Sequence, residues 1–211
     1  MKKNDQVVNY LILWVLMSIV IITQFHSLRY LIWNLGLAFI PYIASLVIAD
    51  KKIKSVIKGL AFPIWLFFYP NAIYLTTDAI HLSNYEFYSV YQSVQYNMNL
   101  ELWVTFILIM TAIILGIILS FLSFSNITSF LKLKNVGKVV FLVVLSLLTG
   151  FAIYIGRFLR FNSWDIIANL TGILNFLKSG LNTNSILLIL LFSGFHFVVI
   201  YMFELINTRS R

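Results

Sequence analysis

The chain has 211 residues, of which 61% are hydrophobic and only 10% charged, with a formal net charge of +8 and a mean hydropathy of +0.93. A soluble domain carries roughly 25% charged residues, so this composition excludes a water-soluble globule and predicts a polytopic membrane protein whose apolar surface faces lipid. The lack of cysteine excludes disulfides, thiolate catalysis and Cys-ligated metal centres, and basic residues placed between apolar runs point to anionic lipid and the positive-inside rule, with no nucleic acid implied.

A spanning helix needs roughly 20 mostly apolar residues. Six runs qualify, at 8–24, 30–49, 58–77, 102–122, 138–157 and 186–206, and they make residues 1–211 one integral membrane domain. The first follows Lys2 and Lys3 and reads as a retained helix, because Gln24-Phe25-His26 is no small-residue cleavage site. The second carries Asn34 and Pro41. The third carries Pro70, which frees the carbonyl of Leu66, and runs on through Asn71, Asp78 and His81. The loop from Asp78 to Glu101 has no Lys or Arg. It is rich in aromatics (Tyr85, Phe87, Tyr88, Tyr91, Tyr96), which places it at headgroup level. The fifth run ends at Arg157 and Arg160. After it, Ser163 as N-cap, Asp165 in the first turn and Gly180 as stop predict an interfacial helix over 164–178. The alternative makes 164–180 a seventh span, but Asp165, Asn169, Asn175 and Lys178 argue against it. The sixth run carries His196.

Charge then sets the orientation. With both termini cytoplasmic, eleven basic residues lie inside and four (Arg29, Arg157, Arg160, Lys178) outside. The expected fold is therefore an all-α bundle of six transmembrane helices with one or two outer interfacial helices.

On that topology two polar motifs share the outer surface. Asp78 and His81 are separated by one helical turn, as are Arg157 and Arg160. Asn71, Arg157, Arg160, Asn162 and Asp165 are the expected ligand-binding residues, because arginine grips phosphate or carboxylate with two parallel hydrogen bonds. His81 and Asp78 are the expected catalytic residues if the protein is an enzyme, with His81 as general base oriented by Asp78. The structural alternative is that the arginines snorkel, or pair with Asp78 and Asp165 to pin helix ends. Two ligands at one-turn spacing are a weak metal signal and would need a third from Asp165, Glu86 or His26, no phosphate-binding glycine loop or nucleophile motif is present, and no cofactor is named by the sequence. His196, beside Ser193 and Gly194, reads as a helix–helix hydrogen bond ahead of a proton relay.

Three function classes follow. The preferred one is a membrane protein whose outward-facing polar pocket binds a lipid headgroup or another anionic group. The second is an outer-leaflet hydrolase or transferase acting on a lipid-linked substrate. The third is a small transporter, disfavoured because the inner halves of the first, fourth and fifth spans are almost wholly apolar.

Three strings carry a resemblance: Trp33-Asn34-Leu35-Gly36-Leu37-Ala38-Phe39-Ile40-Pro41, the stretch Phe68-Tyr69-Pro70-Asn71-Ala72-Ile73-Tyr74-Leu75-Thr76-Thr77-Asp78-Ala79-Ile80-His81-Leu82, and Gly156-Arg157-Phe158-Leu159-Arg160-Phe161-Asn162-Ser163-Trp164-Asp165. Through them the chain resembles a family of bacterial multi-pass membrane proteins called domain of unknown function 1361, over roughly residues 29 to 200. The resemblance implies a bacterial cytoplasmic membrane and the position of the site, but no reaction.

Overall fold

Hydrocarbon offers the backbone no hydrogen-bond partner, so each apolar run satisfies its own amides by forming a helix. The computed structural model describes residues 3–91, 93–161, 170–175 and 180–209. Among them six helices are long and apolar enough to cross a membrane, and the protein is an all-α polytopic membrane protein. These are α1 (Lys3–Gln24), α2 (Arg29–Ala49), α3 (Ser55–Tyr74), α4 (Leu100–Phe130), α5 (Asn135–Phe158) and α7 (Thr183–Arg209); the short α6 (Leu170–Asn175) precedes the last.

Several helices outrun their apolar windows. At the start of α4, Asn99 caps the helix by accepting the Glu101 N–H at 2.9 Å. After α2, the Asp50 carboxylate accepts the Lys52 N–H at 2.8 Å and turns the chain. The helix expected over 164–178 lies partly outside the described residues. Its described part is α6, where Ile173 is buried.

The loop after α3 is more ordered than its composition suggests. The chain does not leave helical geometry at Tyr74 but tightens into a 3-10 helix over Leu75–Asn84. Local hydroxyls reinforce the tight turn: Thr76 donates to the Ile73 carbonyl at 2.8 Å, Thr77 to that of Tyr74 at 2.6 Å and Ser83 to that of Ile80 at 2.7 Å. Three residues per turn then stack Leu75, Asp78, His81 and Asn84 along one face. Beyond it β1 (Tyr88–Val90) pairs antiparallel with β2 (Val94–Tyr96), Tyr88 opposite Tyr96 with ring centroids 6.3 Å apart. Phe87 fastens this hairpin to α4 by edge-on contacts to Trp103 and Phe106 at 5.6 and 5.9 Å.

The bundle packs around α2, which touches α1, α3 and α4, while α5 pairs with α7 and α3 joins the two groups. Glycine permits the closest approaches. A Cβ on Gly150 of α5 would sit 2.5 Å from the Ile189 carbonyl oxygen of α7, and one on Gly116 of α4 would sit 2.5 Å from that of Ala72. Small residues bring membrane helices this close, and buried hydroxyls then tie them. His196 bonds Ser146 Oγ through Nδ1 at 2.7 Å and Tyr69 through Nε2 at 3.1 Å, and Ser120 donates to the Tyr69 hydroxyl at 3.0 Å. Four helices are thereby linked through one imidazole, in the helix–helix role expected for it. Trp65 adds a second tie, donating to Ser123 Oγ at 2.8 Å, while Ser123 donates to the Pro41 carbonyl at 3.2 Å.

Candidate functional site

The site lies at the end of the bundle where α2 begins and α3 and α5 finish. Its centre is Asp78, fully buried although ionisable. A carboxylate removed from water needs its lone pairs filled. Asn34 Nδ2 donates to Oδ2 at 2.9 Å, and Arg157 Nη2 donates to Oδ1 at 2.5 Å. Arg157 also donates from Nε to Thr77 Oγ1 at 3.0 Å, and its guanidinium lies 4.5 Å above the centroid of the Tyr74 ring. Three separated segments thus meet at one carboxylate, joined by an ion pair and a hydrogen bond.

The tight helix explains this geometry. Thr77 and Asp78 are consecutive and both meet one guanidinium, which needs the chain to turn sharply after Tyr74. Gly156 leaves room for the neighbouring aromatic ring, since a Cβ there would approach Tyr74 Cε2 to 3.2 Å.

His81 stands apart from the pair. Its ring is 4.5 Å from that of Tyr30, tilted by 46°, and both Asp78 oxygens are already occupied by other donors. No hydrogen bond joins His81 to Asp78 among the described residues. The expected base–orienter contact is therefore replaced by the Asp78–Arg157 pair, because burial makes the carboxylate seek the permanent cation. The Tyr30 hydroxyl beside them is buried and has no hydrogen-bond partner among the described residues.

Next to this lock lies a cavity of about 220 Å³ between α2, α3 and α5. Trp33, Asn34, Phe67, Asn71, Tyr74 and Gly156 line it, with Phe161 and Ile173 beyond the end of α5. Of the expected ligand-binding residues that are described, only Asn71 lines it directly, its Nδ2 donating to the Phe68 carbonyl at 3.1 Å. Arg157 and Asp78 reach it through Tyr74 and Asn34, each of which touches both the lock and the cavity. Trp33 and Phe67 are 61% and 43% exposed on the apolar flank of the bundle, so the cavity opens sideways. It extends to Pro70 and Phe151 and does not include His196 in its wall.

Arg160 differs from Arg157. It is exposed, makes no hydrogen bond or ion pair among the described residues, and has a left-handed backbone with φ 59°. It immediately precedes Phe161, which lines the cavity. Asn162 and Asp165 lie outside the described residues. No group of three His, Asp or Glu able to hold a metal occurs among the described residues.

Sequence reasoning did not give Tyr74, Thr77 and Gly156 their places in this site, although each is adjacent to, or one turn from, a residue it singled out. The missing information was the change of helical pitch after Tyr74.

Residues 33–200 match the model of a family described as protein of unknown function (DUF1361). No curated protein and no solved structure matches the chain.

Proposed function

We propose a function from geometry, because the chain belongs to the family described as protein of unknown function (DUF1361) and that description assigns no activity. The protein binds a lipid or lipid-linked molecule in the cavity between α2, α3 and α5, in the cytoplasmic membrane of a bacterium, with this end of the bundle outside. The observation that carries the reading is the sideways opening: an apolar and aromatic cleft whose exposed rim is Trp33 and Phe67 and whose polar wall holds the Asn34 and Asn71 side chains. Such a cleft suits an amphipathic ligand, with its chain against the rings and its headgroup toward the bundle end.

Of the two arginines expected to grip an anion, Arg160 keeps that role. Arg157 is already neutralised by Asp78, whereas Arg160, next to Phe161, has no ion-pair partner among the described residues. Holding a non-glycine residue left-handed costs roughly 1 kcal/mol, and strain of this kind is kept where a side chain must be aimed. Asp78 and Arg157 then act as the clasp that holds Asn34 and Tyr74 in the cavity wall.

Lipid retention tests the proposal. Ala152 lines the cavity, so Ala152→Trp should fill it. We expect the purified variant to remain monodisperse and to retain at least about tenfold less of the acidic lipid that co-purifies with the parent protein, as measured by mass spectrometry. Unchanged retention in a folded Ala152→Trp protein would refute the cavity as the binding site.

A further inference from the structure

A second site stands at the other end of the bundle. Lys138 in the first turn of α5 and Glu204 near the end of α7 form an ion pair that is largely withdrawn from water. Lys138 is bonded to Oε1, while Glu204 Oε2 is buried and accepts no hydrogen bond among the described residues. An ionised carboxylate oxygen left in that state costs several kcal/mol unless a donor reaches it. Beside the pair is a cavity of about 210 Å³, lined by Phe124, Asn135, Lys138, Leu142, Tyr201 and Glu204. It is apolar toward the bundle and polar toward the helix ends, where Asn135, Lys138 and Glu204 line it.

We propose that this cavity holds the headgroup of a phospholipid carrying a primary ammonium, an ethanolamine phosphate. The ammonium donates to Glu204 Oε2 and supplies the missing donor. The adjoining phosphate lies toward the basic connection of Lys132 and Lys134, which precedes α5 and is exposed. The glycerol and first acyl carbons rest on Phe124 and Leu142. A quaternary headgroup has no N–H to give, so choline lipids lack this contact, and lipids with anionic headgroups lacking an amine would place like charge against Glu204. The cavity therefore selects by hydrogen-bond donation, whereas the cleft at the opposite end selects by shape and by Arg160.

Native mass spectrometry of the delipidated full chain, titrated separately with dioleoyl phosphatidylethanolamine, phosphatidylcholine and phosphatidylglycerol, tests this. The parent should bind the ethanolamine lipid about tenfold more tightly than the choline lipid, the difference expected for one charge-assisted hydrogen bond. In Glu204→Gln that ratio should fall to about 1. Because that substitution leaves Lys138 without its counter-charge, the double variant Lys138→Gln/Glu204→Gln, which removes both charges, should show the same loss while remaining monodisperse. Equal affinity for both lipids in the parent, or an undiminished ethanolamine preference in the double variant, overturns the proposal. Displacement of the bound lipid by millimolar free phosphoethanolamine would assign the site to a soluble amine and overturn the lipid reading. Ala152→Trp at the opposite end should leave the ethanolamine preference unchanged, so this result stands apart from the fate of the cleft.

Discussion

At the residue scale the decisive question is which cation the buried carboxylate takes. Arg157 donates to both Asp78 and Thr77 while lying over Tyr74, and lysine has neither the planar fork nor the ring-stacking face to do all three. Arg157→Lys should therefore lower unfolding stability in detergent by about 2 kcal/mol, while Asp78→Asn, which strips the arginine of its counter-charge, should cost about 3 kcal/mol or more. Both are measurable by thermal or denaturant unfolding, and a shift below about 0.5 kcal/mol for either would disqualify the clasp. Arg160 gives the opposite signature. Glycine removes left-handed strain, so Arg160→Gly should leave stability equal or raised by up to about 1 kcal/mol, yet retention of acidic lipid should fall. His81→Ala should lose only its contact with Tyr30, about 1 kcal/mol, with lipid retention unaffected. A large loss of retention in that variant would give His81 a direct part in binding.

At the scale of elements, sequence and structure agree where run length decides and part where neighbours decide. Six apolar runs became six helices because a bilayer leaves the backbone no other choice. The pitch change at Leu75 depends on threonine hydroxyls folding back and on Asp78 being drawn inward, and neither is visible in hydropathy. The hairpin at Tyr88–Tyr96 was present only as a run of tyrosines, since pairing depends on register as well as composition. The spacing of Asp78 and His81 was legible, but not the fact that the carboxylate would turn to Arg157 and Asn34. Close packing of α5 on α7 was marked by no motif beyond Gly150 itself. There a Cβ would meet the Ile189 carbonyl oxygen at 2.5 Å, so the helices would have to part. Gly150→Ala should cost about 2 kcal/mol and weaken the His196 bonds to Ser146 and Tyr69. Unfolding curves indistinguishable from the parent would mean that the contact relaxes freely.

At the scale of the whole molecule the two ends have different chemistry. One gathers Asp78, Arg157, Arg160, the 3-10 helix and the hairpin; the other gathers Lys51, Lys52, Lys54, Lys132, Lys134 and the Lys138–Glu204 pair. Basic loops stay in the cytoplasm because lysine-rich segments resist translocation, so the lysine end should face inward and the clasp outward. Because the chain has no cysteine, single cysteines can report this without background. Ser83 is exposed beyond the clasp, while Lys52 and Lys134 are exposed at the opposite end. In intact cells a membrane-impermeant maleimide should label Ser83→Cys strongly and leave Lys52→Cys and Lys134→Cys nearly unlabelled until the membrane is permeabilised. The reverse pattern would place the clasp and its cleft on the cytoplasmic side. The cleft would then draw on inner-leaflet lipid, and the lysine end would violate the charge rule that gave the orientation.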